Sequence, residues 1–278
     1  MLKKVVFILD DENAIDKIED LTDELTSYGI TFSIISAAGK QTDANDQDDV
    51  LYITDNPLYY KKLRENALPV IVYMHDGNRE MNFPYAEYLI ENIEEIEYES
   101  LQLGYLRLTG QPWTVLETDR CIIRETTVED VDSFYEIYKE PAITKYMENL
   151  YEDRAEEIEY IKDYIKKVYS FYGYGMWTVL EKNEQKVIGR AGITWREGYD
   201  IPELGFVIAV PYQQKGYAFE VCRAIIKYGH EELGFNSMQV LIMEGNEISK
   251  ALCRKLGFVQ HEKIEINGAW YERMIFHR

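Results

Sequence analysis

A chain of 278 residues is long for one domain and suits two, on a prior of roughly 100–200 residues per domain. Its 46% hydrophobic and 13% aromatic residues can fill ordinary cores, and 7 prolines and 17 glycines exclude a collagen-like or low-complexity chain. A formal net charge of −20 repels phosphate backbones and argues against nucleic acid as a direct partner.

The opening MLKKVVFILDDENAIDK holds one short apolar run, residues 5–9, that ends in acids. Neither a signal peptide nor a membrane span fits it, so a cytoplasmic protein with no membrane partner is expected. Three cysteines, Cys121, Cys222 and Cys253, are widely spaced with no CxxC, which reads as buried thiols rather than disulfides or a thiolate metal site. His75, His230, His261 and His277 show no HxxxH spacing, and no metal is expected. Acidity is concentrated early, with 22 acids against 9 bases up to residue 113 and 28 against 21 from there on.

In chain order, residues 3–9 form a continuous apolar run suited to a buried parallel strand, and 13–28 space Ile15, Ile18, Leu21 and Leu25 as a helix does. The alternation continues with strands at 31–36 and 50–54, a helix at 57–66, a strand at 69–73, a helix near 85–91, a weak strand at 93–97 and a helix near 100–108. This βα order predicts an α/β, Rossmann-like domain on a small parallel sheet with helices on both faces. Ligands of such sheets sit beyond the carboxyl ends of the strands, which here carry Asp10, Asp11, Glu12, Ser36, Asp55 and His75. The stretch DDVLYITDNPLYYKKLRENALPVIVY resembles the last third of a haloacid-dehalogenase-like phosphatase, a family that needs DxDxT where this chain has Asp10-Asp11-Glu12-Asn13. The acidic pair Asp10-Asp11 and Asp55 also resemble a response-regulator receiver, whose hydroxyl after strand four is replaced here by Met74-His75. With both patterns degenerate, a non-catalytic N-terminal domain is expected.

Gly110 and Pro112 break periodicity within 109–114, placing a boundary at about residue 115 and domains at 1–115 and 116–278. A strand at 120–124 leads to a helix capped at Thr126 or Thr127, with Asp130 completing a capping-box-like start. A long amphipathic helix at 154–172 closes at Gly173 and Gly175. Strands at 176–181, 187–196 and 203–210 follow as an antiparallel meander.

Gln213-Gln214-Lys215-Gly216-Tyr217-Ala218 comes directly after a strand and opens an amphipathic helix. Such a turn presents unpaired backbone N–H groups at the positive end of a helix dipole, a seat for a pyrophosphate. The hexapeptide matches Q/R-x-x-G-x-G/A, the signature of the GNAT N-acetyltransferase superfamily. Downstream, the strand at 238–243, then Asn246, Ser249 and the run Lys255-Leu256-Gly257-Phe258, resemble the family's N-x-x-S…KLGF helix and its exit to a strand. The opening TDRCIIRETTVEDVDSFYEIY and the GRAGI and ELGFVI strands resemble the RimJ/RimL-like branch, and the resemblance covers nearly all of 117–278.

The resemblance implies an α+β fold whose mixed, mostly antiparallel sheet has a splayed central strand pair. It also implies acetyl-CoA as cosubstrate and direct attack by a primary amine, a protein N-terminus or a small amine. Backbone groups near Ile208, Ala209 and Val210 would grip pantetheine, and Gln213, Gln214, Lys215, Gly216, Tyr217, Ala218 and Asn246 would complete the cofactor site. Glu203 is the first candidate base, ahead of Glu220 and Glu272, because an ammonium must lose a proton before it attacks. Ser249 would hydrogen-bond the leaving sulfur, since the family's tyrosine acid is replaced here by Cys253. Net negative charge suggests a cationic acceptor. The oligomeric state is left open, a homodimer included, and the competing class is a catalytically inactive CoA-binding or scaffold module acting with the N-terminal domain.

Overall fold

The computed structural model describes residues 1–11, 13–36 and 49–278, so Glu12 of the strand-end acids lies outside the described residues. The chain divides into two compact units, Met1–Trp113 and Thr114–Arg278.

In the first unit the elements run β1 (Lys4–Leu9), α1 (Asn13–Lys17), α2 (Glu19–Ser27), β2 (Thr31–Ser36), β3 (Val50–Thr54), α3 (Pro57–Glu65), β4 (Val70–Tyr73), β5 (Leu89–Ile90) and α4 (Tyr98–Leu108). All strand pairs are parallel in the order β2-β1-β3-β4-β5. Successive side chains of a strand point to opposite faces. Val5, Phe7, Leu51, Ile53 and Ile71 accordingly meet Ile18, Leu21, Leu25, Leu101 and Tyr105 on one face. Val6, Ile8, Tyr52 and Val72 meet Tyr60 and Leu63 of α3 on the other. Covering both faces is why these strands read as unbroken apolar runs.

Two local expectations are corrected. The helix expected near 85–91 is instead the fifth strand, paired through Val72↔Leu89 and Tyr73↔Ile90, and the weak strand expected at 93–97 is a 3₁₀ turn at Ile93–Glu95. Two residues of strand carry no periodicity; the free edge of β4 decides them. The single helix expected at 13–28 is broken at Ile18, which is fully buried between α1 and α2.

The second unit runs β6 (Thr114–Glu117), β7 (Cys121–Arg124), α5 (Val131–Tyr138), α6 (Pro141–Thr144), α7 (Arg154–Tyr164), α8 (Ser170–Tyr172), β8 (Met176–Glu181), β9 (Lys186–Thr194), β10 (Glu203–Ile208), α9 (Tyr217–Glu231), β11 (Ser237–Met243), α10 (Glu247–Lys255), β12 (Val259–Ile266) and β13 (Ala269–His277). Its eight strands lie in the order β12-β13-β11-β10-β9-β8-β7-β6, antiparallel throughout except between β10 and β11. β6 begins at Thr114, the last residue of the segment 109–114 that breaks periodicity, and pairs with β7 through an irregular register. Ahead of α5 the backbone N–H of Thr127 donates to Asp130 at 2.9 Å, as in the capping box read from the sequence. The long helix expected at 154–172 passes through a π-type turn at Ile165–Tyr169 before ending at left-handed Gly173. On α9, Val221, Cys222 and Ile225 are fully buried, and Tyr228 meets the buried ring of Trp177 edge-on.

Candidate active site

Strand β10 follows β9 through six paired positions, from Glu203↔Thr194 to Ile208↔Gly189, but meets β11 at Glu203↔Gln239 alone. Beyond residue 203 the two central strands part. Antiparallel hydrogen bonding alternates along a strand. The Ala209 N–H donates to the Ile188 carbonyl at 2.8 Å, which turns the backbone groups of 205, 207 and 209 toward β9 and those of 204, 206 and 208 toward the gap. A cleft of about 610 Å³ fills that gap, lined by Gly205, Phe206, Val207 and Ile208 on one side and by Val240, Leu241, Ile242 and Met243 on the other. The Ile208 carbonyl is met by Nε2 of Gln213 at 2.8 Å, so the first residue of the turn motif ties the end of the splayed strand.

The turn itself holds two left-handed residues, Gln214 at φ 58° and Gly216 at φ 86°. No side chain caps the helix that starts at Gly216, which leaves the first-turn N–H groups of α9 open to a ligand. From outside the cleft the turn is clamped by Arg120. Its Nη1 donates to the Lys215 carbonyl at 3.0 Å, its Nε and Nη2 bond Glu220 at 2.7 and 2.6 Å, and its guanidinium stacks 4.2 Å from the Tyr217 ring. Burial opposes ionisation of Glu220, yet hydrogen bonds from Thr118 and Arg120 outweigh it and hold this carboxyl below its ordinary range. Arg120 had no motif to announce it; only the fold brings residue 120 beside residues 215–220.

Of the residues read from the sequence, Glu203, Ile208, Gln213, Gln214, Gly216, Ala218, Asn246 and Ser249 line the cleft, whereas Ala209, Val210, Lys215 and Tyr217 do not. Ala209 is a correction, because its amide is already given to Ile188. Val210 sits in the 3₁₀ turn Val210–Tyr212, with its carbonyl taken by the Gln213 N–H at 3.1 Å. Lys215 gives its carbonyl to Arg120 and holds its ammonium 6.0 Å from the Tyr212 ring, and the Tyr217 ring lies against the Arg120 guanidinium.

Glu203 stands where β10 and β11 separate. Both its carboxylate oxygens bond Arg196, at 2.6 and 3.2 Å, and it also lines a second pocket of about 590 Å³ with Trp195, Glu197 and Tyr199. Asn246 caps α10 by accepting the Ser249 N–H at 3.2 Å, which sets Ser249 on the first turn facing the cleft. Tyr146, unread in the sequence, lines the same wall and donates its hydroxyl to the Gly245 carbonyl at 3.0 Å. The lesser candidates for the base are engaged elsewhere: Glu220 with Arg120, and Glu272 with buried Lys250 at 2.7 Å. Cys253 is fully buried, and burial pushes its thiol up to about 12, far from a thiolate at neutral pH.

In the first unit Asp55, at the carboxyl end of β3, is turned inward with its side chain 0% exposed. Its oxygens accept the N–H of Asp10 at 2.8 and 3.0 Å and that of Asp11 at 2.8 Å, and His75 Nε2 lies 3.4 Å away. Asn78 stitches the same edge, donating to the carbonyls of Asp55 and Tyr73 and accepting from His75 N–H. The carboxylate thus accepts from two backbone amides of the chain that follows β1. Asp55→Asn turns part of this acceptor into a donor and should cost about 2 kcal/mol, since a buried group left without its partner loses about 1–3 kcal/mol. Denaturant unfolding of the first unit measures this; an unchanged midpoint would mean that water serves these amides instead.

A parallel pair splayed over a cleft, with an uncapped glycine turn at one end, is the architecture of an acyl-CoA-dependent acetyltransferase. The family model for the acetyltransferase (GNAT) domain matches residues 120–259, and the chain belongs to this family of N-acetyltransferases, whose members take acetyl from acetyl-CoA. It is similar to the uncharacterized N-acetyltransferase YoaA of Bacillus subtilis (strain 168), at 25% identity over 169 residues covering 58% of this chain and 94% of the relative. It is also similar to the uncharacterized protein YkkB of the same organism, at 30% identity over 149 residues covering 52% of this chain and 84% of the relative. Among solved structures, an acetyltransferase of Agrobacterium tumefaciens str. C58 shares the fold with a TM-score of 0.51 and 18% identity, over 59% of this chain and 94% of its own. Among the described residues no helix is long and apolar enough to cross a membrane.

Proposed function

We propose that this protein transfers acetyl directly from acetyl-CoA to a primary amine, with the thioester in the cleft between β10 and β11 and the amine entering from the pocket beside Trp195. The observation that carries this reading is that Glu203 lines both spaces, so one carboxylate faces donor and acceptor sides of the splay. The open amides at Gln214, Gly216 and Ala218 suit a pyrophosphate at a helix N-terminus. Backbone N–H groups of β10 that face the gap suit pantetheine and the oxyanion that develops when nitrogen attacks the thioester carbon. Glu203 takes the amine's proton, directly or through one water, and Ser249 hydrogen-bonds the sulfur as the C–S bond breaks. Glu197 and the indole of Trp195 at the pocket mouth favour a cationic acceptor. The knot around Asp55 supports a structural or partner-binding first unit without phosphate chemistry of its own.

Direct transfer and an acyl-cysteine route differ in kinetics. With acetyl-CoA and a panel of polyamines, aminoglycosides and basic N-terminal peptides, initial rates should give intersecting double-reciprocal lines, and Cys253→Ala should keep turnover within about threefold, with no acetylated protein in the mass spectrum. Parallel lines with an acetyl-protein adduct would overturn direct attack. Tight CoA binding with no turnover of any amine would overturn the enzymatic reading in favour of a CoA-binding module.

A further inference from the structure

A groove of about 310 Å³ opens between α9 and α10, continuous with the cleft through Phe219 and Lys255, which line both. Its charge is opposite to that of the chain. In a protein of net charge −20 its wall carries Arg223, Lys227 and Lys255, and its single acid, Glu231, lies 3.5 Å from Lys227. Arg223 follows Phe219 by four residues on α9, so both project from one helical face. Lys255 arrives from the last turn of α10, and the two cations flank the same ring, Lys255 Nζ at 4.4 Å and Arg223 Cζ at 5.6 Å from the Phe219 centroid. Among the described residues neither is ion-paired.

The chain's overall field opposes any polyanion, so a site for one needs local cations to offset it. Phe219 lies three residues past Gly216, a rise of roughly 4.5 Å along the helix. A ligand whose pyrophosphate sits on the Gly216 turn therefore has its adjoining sugar within reach of this groove. We propose that the groove takes the 3′-phosphate on the ribose of CoA and makes the protein discriminate CoA from dephospho-CoA. A phosphate monoester carries about −1.5 to −2 at pH 7, which Arg223 meets as a planar fork and Lys255 as a point charge.

The inference rests on the cleft being the CoA site, and calorimetry with CoA and dephospho-CoA tests the two separately. The full chain should prefer CoA by at least about tenfold at low salt, a preference that shrinks as the screening length falls from about 30 Å at 0.01 M to about 8 Å at 0.15 M. Arg223→Gln, exposed and lining the groove but not the cleft, should bring the preference to about threefold or less while dephospho-CoA affinity stays within about twofold, and adding Lys255→Gln should remove the rest of the preference. Equal affinity in the unmodified protein, a preference that survives both substitutions, or an equal loss for both ligands would overturn the proposal. Binding of neither ligand by the unmodified protein would instead overturn the reading of the cleft, and the proposal with it.

Discussion

Replacing Gly216 by valine should weaken CoA binding by at least about 100-fold, roughly 2.8 kcal/mol at 1.4 kcal/mol per tenfold. Gly216 sits at φ 86°, which is a genuine outlier for a β-branched residue, and a Cβ there would lie 3.2 Å from Arg120 Nη2. The turn must then give way, and the amides opening α9 lose their common aim. Lys215→Ala should change affinity by no more than about threefold, because Lys215 does not line the cleft and its contribution is a screened surface charge. Calorimetry on both variants, with thermal melting to confirm that each is folded, decides the matter. A folded Gly216→Val that binds CoA like the unmodified protein would remove the pyrophosphate from this turn.

Glu203→Gln should lower kcat by about 100-fold while leaving the CoA dissociation constant within about twofold, since general base catalysis contributes typically 10²–10⁴-fold. The amide keeps the shape of Glu203 but cannot take a proton, and part of its bond to Arg196 is lost. A pH profile separates chemistry from mere positioning. An alkylamine with a pKa of about 10.4 reaches the site almost wholly protonated at pH 7, so the deficit should shrink as pH rises and more amine arrives neutral. A deficit independent of pH would mean that Glu203 only holds Arg196 in place. Unchanged kcat would pass the proton to another group.

The parts of this protein legible in its sequence are those set by local chemistry. Val5 to Leu9 had to be a doubly covered strand because no residue among them tolerates water, and β1 is buried on both faces. The Gln213–Ala218 turn was legible through its match to the family signature in company with the N-x-x-S…KLGF segment downstream, since a polar glycine turn before a helix is commonplace by itself, and Asn246 and Ser249 were legible through the same resemblance. Strand β5 was illegible, as two residues cannot display a period and its pairing is decided by the vacant edge of β4. The same holds for β6, whose four residues lie at the domain boundary read at about residue 115 and were given no element; their pairing with β7 decides them.

By itself, then, the sequence determined most of the elements, the family and the turn that opens α9, because each depends on neighbours within about one helical turn or one strand. The tertiary structure alone decided which of the acids stands at the cleft. Glu203, Glu220 and Glu272 look alike in the sequence, and only folding sets Glu220 under Arg120, Glu272 on buried Lys250, and Glu203, itself paired with Arg196, at the join of two cavities. It also decided that Ala209's amide belongs to β9 and that Asp55 faces its own backbone. A carboxylate's role follows from its partners and its exposure, and those come from residues as far as 100 positions away.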